Sequence, residues 1–261
     1  MASLWRLALA VAMCGALILS SSSAAAAARK KTGRITVYWG QTAAEGRLRE
    51  ACGSGLYTTV IVSFLTGFGG GRYKLDLAGH DRGAVGPDVK YCQSRGVLVL
   101  LSIGGGIGRY SLASKADAKA VADHLWDFYL GGRSKSRPFG DAVLDGCPFP
   151  DRMLGEALRT GVFDRVHVQF YNNPACSYRA SNAAAFAAAW RKWASSLPRS
   201  SVYLGLPAAP GAANSGYVPP AALAGEALPI VQRSRNYGGV MLWSRYWDRR
   251  TGYSKKIKHA V

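Results

Sequence analysis

The sequence predicts an α/β fold of successive βα units, and three observations predict it. Short apolar runs rich in β-branched and aromatic residues recur along the chain. These runs are continuously apolar rather than alternating, as in parallel strands covered by helices. Their starts are spaced by roughly 25, 37, 45, 24, 36 and 38 residues, room for a helix between each run and the next.

In chain order the runs are Ile35 to Trp39, Val60 to Leu65, Val97 to Ile103, a weak Ala142 to Leu144, Val166 to Tyr171, Val202 to Leu206 and Val240 to Trp243. Between the third and fourth, Ser114-Lys115-Ala116-Asp117 resembles a capping-box start. Behind it Ala118, Val121, Ala122, Leu125, Trp126 and Tyr129 share one helix face. From Asn182 to Leu197, Phe186, Trp190 and Trp193 form a second apolar stripe, expected in the core. The interval after Val143 is odd, because Cys147-Pro148-Phe149-Pro150 and a short helix from Arg152 to Arg159 fill most of it. The weak strand stops at Asp145-Gly146, too short to cross a barrel wall.

Ahead of the first strand, Arg6, an apolar run from Leu7 to Leu19 and a Ser/Ala tract to Ala28 have the layout of a secretory signal peptide over residues 1–28. The run is below the roughly 18 residues that span a bilayer. The remaining domain, 29–261 of the 261 residues, suits one globular unit at 49% hydrophobic and 18% charged. A βα barrel usually needs about 250 residues, or about 31 per unit, so about 233 leave room for seven to eight.

The chain has 33 basic and 15 acidic residues, a net charge of +18. Such a balance suits nucleic acid, an anionic membrane or an acidic cell-wall matrix. The charges are scattered, with short groups only at Arg29-Lys30-Lys31, Arg249-Arg250 and Lys255-Lys256. That pattern favours a solvated basic surface over a nucleic-acid groove. Cys14 falls in the leader, which leaves Cys52, Cys92, Cys147 and Cys176 as two structural disulfides with three possible pairings. Dispersed histidines and the lack of C-x-x-C argue against zinc, and no Asn-x-Ser/Thr acceptor occurs.

Gly104-Gly105-Gly106-Ile107-Gly108 misses G-x-G-x-x-G and lacks the lysine of a phosphate loop, so it reads as close backbone packing at a strand end. No G-x-S-x-G occurs. Glycosidic cleavage usually needs a carboxylic acid in a site that raises its pKa. The chain has only Glu45, Glu50, Glu156 and Glu226, none at a strand end, and only Glu45 is placed to approach a cleft. Asp145 ends a strand alone. Aromatics are different: Tyr38, Trp39, Phe64, Tyr171 and Trp243 all lie at C-terminal strand ends, where a barrel puts its binding loops. Together they suggest a groove that stacks on sugar rings of a polysaccharide.

The segments Val37-Tyr38-Trp39-Gly40-Gln41, Ser102-Ile103-Gly104-Gly105-Gly106, Gly140 to Gly146, Gln169-Phe170-Tyr171-Asn172-Asn173-Pro174, Gly205 to Pro210 and Gly238 to Ser244 resemble plant class III chitinases of glycoside hydrolase family 18. The stretches Ala44 to Cys52 and Leu77 to Asp81 look more like the cereal xylanase-inhibitor proteins of that family. The resemblance implies a TIM-type (β/α)8 barrel with disulfides Cys52–Cys92 and Cys147–Cys176. It also implies catalysis by the substrate's own N-acetyl group, helped by an acid Glu, an orienting Asp and a Tyr that matches Tyr171. Gln169 and Trp243 match the lining of the central sugar subsite, and Tyr38, Gln41, Phe64 and Gly105 match further substrate-binding positions.

The departure is in the acid segment. The family pattern D-G-x-D-x-D-x-E is cut at Asp145-Gly146, which is followed at once by Cys147-Pro148-Phe149-Pro150. Asp145 matches only the first, supporting Asp. The barrel is therefore expected to lack about one βα unit: the end of strand 4, helix 4 and strand 5. The expected protein is a secreted extracellular monomer of the apoplast or cell wall, without cofactor or metal and acting in plant defence. It would bind chitin or other cell-wall polysaccharide with hydrolysis impaired. The alternatives are an inhibitor of microbial xylanases, or an active endochitinase whose segment was lost to a gene-model or splicing error. No nucleic-acid or membrane partner is expected.

Overall fold

The computed structural model describes residues 34–106, 108–147 and 163–261. The expected leader, Ile107, Pro148-Phe149-Pro150, the helix from Arg152 to Arg159 and Glu156 lie outside the described residues. Six parallel strands form one sheet: β1 (Arg34–Trp39), β2 (Thr59–Phe68), β4 (Leu98–Ile103), β6 (Arg165–Gln169), β7 (Ser201–Pro207) and β8 (Tyr237–Trp243). Their order is β4-β2-β1-β8-β7-β6, each strand parallel to its neighbours. The two-residue strands β3 (Lys74–Leu75) and β5 (Arg109–Tyr110) pair with the far end of β2, antiparallel and parallel. They are too short to leave a periodic signal in sequence.

Helices alternate with the strands as the spacing requires: α1 (Leu48–Gly53), α2 (Arg82–Ser94), α3 (Lys115–Tyr129), α4 (Ala183–Ser196), a helical stretch α5 over residues 220–231, α6 (Arg245–Thr251) and α7 (Tyr253–Ile257). The capping prediction holds for α3, where Ser114 accepts the Asp117 N–H. Its buried face is narrower than the sequence implied, because Val121, Leu125 and Tyr129 are buried while Ala122 and Trp126 are exposed.

One face of each strand meets the helices. Val37, Val60, Val62, Leu101, Val202, Leu204, Val240 and Leu242 share a core with Leu48, Val89, Leu125, Phe186, Trp190 and Ile257. Alternate residues Ile61, Tyr203 and Met241 are buried outside that cluster, as the two-residue period of a strand dictates. On this inner side Arg165 of β6 donates to Thr59 Oγ1 of β2 at 3.0 Å, and His167 lies 3.3 Å from Thr36 Oγ1 of β1. Strands that are not neighbours in the sheet touch in this way, so the sheet is curled.

The weak fourth strand is corrected. Ala142 to Leu144 form no strand, since the Leu144 N–H is held by the Tyr129 carbonyl at the end of α3. Only Gly146 joins the sheet, as an isolated parallel bridge to Leu100. Among the described residues no ladder joins the β4 edge to β6. The second disulfide is corrected too. Cys52 and Cys92 are bonded, tying α1 to α2, but Cys147 and Cys176 are free thiols. Cys147 directly follows the Gly146 bridge on the β4 side of the sheet, whereas Cys176 lies beyond β6 on the other edge, held by the Asn173 carbonyl.

Candidate functional site

Three aromatic side chains meet at the C-terminal ends of β1, β2 and β8. Tyr38 and Phe64 have ring centroids 5.9 Å apart, Tyr38 and Trp243 5.4 Å, and Phe64 and Trp243 6.0 Å. All three are half-buried, so each keeps surface for a ligand. Gly105 lies against them. Its φ of +116° excludes most side chains, and a Cβ there would come within 3.3 Å of the Phe64 ring. The glycine run after β4 thus does what close packing predicts, letting the loop approach an aromatic ring.

Trp39 belongs elsewhere. As Tyr38 turns to the inner side, Trp39 turns outward, is buried, donates its indole N–H to the Gly46 carbonyl and lies 4.1 Å from the His80 ring. It is core rather than cleft.

Tyr171 follows β6 and is buried at 7% exposure. Burial, with Tyr38 nearby, pushes its phenol far above the ordinary value. Burial also raises Tyr38, against the opposing effect of a hydrogen bond with Ser102. Both phenols are therefore neutral at physiological pH and can donate a hydrogen bond to a ligand carbonyl. The loop before α5 fixes Tyr171: Asn172 Oδ1 accepts the N–H groups of Asn214 and Ser215, and its own N–H donates to the Ser215 carbonyl. Gln169 is exposed and donates to the Tyr171 carbonyl. Gln41 spends its amide donors on the Gly40 and Ser63 carbonyls, both at 3.0 Å, stitching the β1 loop to β2.

The carboxylates are placed otherwise. Glu45 is fully buried, and its Oε1 accepts the N–H groups of Gly40, Gln41 and Thr42 at 2.9, 2.6 and 3.0 Å, with His80 Nε2 at 3.4 Å. It anchors the β1 loop from beneath. The Thr42-x-x-Glu45 capping-box spacing was the signal for this role. Glu50 lies 3.9 Å from Arg249 on the surface, and Glu226 bonds Tyr178. Asp145 accepts the Val99 N–H at 2.7 Å and a Gln93 amide hydrogen at 3.2 Å. Val99 lies three residues before Ser102, about 10 Å down β4 at the strand rise, so the structure does not bring Asp145 to Tyr171. Sequence reasoning missed Ser102 and Asn172. Ser102 carried a usable signal, standing one inward position before the glycine run.

Among the described residues no group of three or more His, Cys, Asp or Glu is placed to hold a metal ion, and no helix is long and apolar enough to cross a membrane. The aromatic mouth can stack on flat rings and donate phenolic hydrogen bonds. The described Glu side chains are all engaged elsewhere.

No family model matches the chain. It is 46% identical over 273 residues to an acidic endochitinase of Arabidopsis thaliana, covering 88% of this chain and 90% of the relative. It is 41% identical over 273 residues to xylanase inhibitor protein 1 of Oryza sativa subsp. japonica, covering 88% and 89%. Among solved structures it superposes with a TM-score of 0.82 on a xylanase and alpha-amylase inhibitor protein of Scadoxus multiflorus, at 41% identity over 88% of this chain and 99% of that one. Against a chitinase of Ipomoea carnea the TM-score is 0.83, at 39% identity over 88% and 100%.

Proposed function

Because the chain belongs to the plant endochitinase and xylanase-inhibitor group of glycoside hydrolase family 18, whose chitinase-like members have a TIM-type barrel, we propose that it is a secreted plant-defence protein that binds chitin-type sugars. The observation that carries this reading is the Tyr38-Phe64-Trp243 cluster with the neutral Tyr171 phenol behind it. Residues 1–28 are its leader and residues 29–261 its barrel domain, working as an extracellular monomer without cofactor. Tyr171 holds the acetamido group, Trp243 floors the central subsite, and Gln169, Gln41, Phe64 and Gly105 line the cleft. Asp145 is a remnant of the catalytic motif.

Hydrolysis is impaired in this reading because the D-G-x-D-x-D-x-E segment stops at Gly146, so about one βα unit is missing between Gly146 and Cys147. The alignment lengths support it. About 230 residues of this chain, 88% of 261, spread over 273 aligned positions in the Arabidopsis comparison. About 40 positions therefore have no counterpart here. The single-residue bridge at Gly146 and the lone ladder of β6 agree with that location. Each lost catalytic role is worth about 10²-fold or more.

The test is calorimetry with N-acetylglucosamine oligomers beside an assay of reducing ends. Saturable binding without turnover is expected, and turnover that persists in Glu45→Gln would overturn the account. The likeness to xylanase inhibitors favours a second reading, inhibition of microbial xylanases, which capture by immobilised fungal xylanase would reveal. A transcript encoding the full motif after Gly146 would instead return the protein to the active endochitinases.

A further inference from the structure

The segment after α3 carries a feature that the barrel mouth does not explain. Only Trp126 and Val143 are exposed large hydrophobic residues among those described, at 57% and 43%. Trp126 does not line the nearby concavity of about 420 Å³, formed by residues 132–135 with Arg137, Gly140 and Asp141, but its ring lies against Gly131, next in the chain to that lining. The placement is built. A Cβ at Gly131 would lie 2.8 Å from the Trp126 ring, so the missing side chain is what lets the indole lie against the backbone. Arg137 holds the concave shape by donating to the Leu130, Gly132 and Ala142 carbonyls, and its Nε finds no acceptor.

The charges around it are uneven. Arg133 and Lys135 are exposed on the rim, and among the described residues neither forms an ion pair. Among the described residues Arg137 has only carbonyls as hydrogen-bond partners. Of the two carboxylates nearby, Asp141 is held by Lys90 at 2.5 Å, which with Arg137 lowers its pKa. Asp127 packs against Gly132, where a Cβ would meet its Oδ1. An exposed indole beside unpaired cations matches a polymer whose rings are apolar on their faces and anionic at their edges.

We propose that this concavity is a second carbohydrate site, outside the barrel mouth, for a carboxylated polysaccharide. Trp126 stacks on a sugar ring, and Arg133 and Lys135 pair with its carboxylates. The site does not depend on the chitin-binding reading.

The test uses the full mature chain with polygalacturonate and its fully methyl-esterified form, followed by calorimetry at two salt concentrations. Binding to the acidic polymer alone is expected. It should weaken at least tenfold in Arg133→Glu/Lys135→Glu and in Trp126→Ala, and less than twofold in Lys255→Glu/Lys256→Glu, with affinity for N-acetylglucosamine oligomers unchanged throughout. Trp126→Gln repeats the measurement should the alanine variant melt lower. Equal losses in the Lys255/Lys256 control would reduce the effect to diffuse charge attraction and overturn the proposal. So would equal binding of the ester, or unchanged binding without the indole.

Discussion

β8 and β6 are strands of one curled sheet, yet β8 lies between β1 and β7 while, among the described residues, β6 has only β7 beside it. Five of the seven β8 residues are buried, against only Val168 in β6. On the outer face Val166 and Val168 are as apolar as Val240 and Leu242, yet Val166 is only half-buried, and on the inner face β6 carries Arg165, His167 and Gln169 where β8 has no charged residue. The single neighbour and the polar inner face together leave β6 less buried. The difference teaches that burial in a parallel sheet depends on a neighbour at each flank as well as on which residues face inward.

The strongest way to break that comparison is to supply the neighbour. Inserting after Gly146 the corresponding segment of the Arabidopsis endochitinase should raise release of reducing ends from chitin oligomers by about 10⁴-fold, two roles at about 10² each. A correctly folded insertion protein without that rise would place the defect elsewhere. The cysteines divide along the same line. Replacing Cys52 and Cys92 by Ala should cost about 2–4 kcal/mol in urea unfolding, whereas Cys147→Ser/Cys176→Ser should cost at most about 1 kcal/mol. The unreduced mature chain should show two titratable thiols in denaturant. In the folded protein Cys147 should react slowly, because burial pushes it up to about 12.

A smaller effect falls on the mouth. Trp243→Ala should weaken N-acetylglucosamine oligomer binding at least tenfold, about 1.4 kcal/mol, while Trp126→Ala leaves it unchanged. The smallest concerns pH. Burial, reinforced by Arg165, lowers His167 to about 3, whereas an unfolded histidine titrates near about 6.5. Between those values the unfolded chain holds a proton that the folded chain does not. Stability should therefore be complete above about 6.5 and decline as pH falls towards 3. His167→Phe should flatten that decline in urea midpoints measured at pH 4 and 7, leaving a residual slope of the same sign from His124, also lowered by burial.

Strands were legible because β-branched runs bounded by glycine and aromatic residues persist through β1, β2, β4, β7 and β8, and six of seven expected runs became strands. The seventh failed because a strand exists only where a partner meets it, and Ala142 to Leu144 are tied to α3 instead. Within the site, position along a strand foretold Tyr38, Phe64 and Trp243. It misplaced Trp39, because consecutive residues face opposite sides of a sheet. Glu45 shows the other limit: its proximity to the first strand was legible, but its burial under three amides depends on how the loop closes.

The two hydrogen bonds that cross the interior from β6, Arg165 to Thr59 and His167 to Thr36, give that flank its own mode of opening. They work as spokes to the opposite wall. A strand tied only along one ladder would fray residue by residue from its ends, but here separation from β7 also requires both spokes to let go. β6 is therefore expected to open as one cooperative piece, at a free energy below that of global unfolding. The backbone amides from Arg165 to Gln169 would exchange with solvent deuterium together, ahead of those in β8.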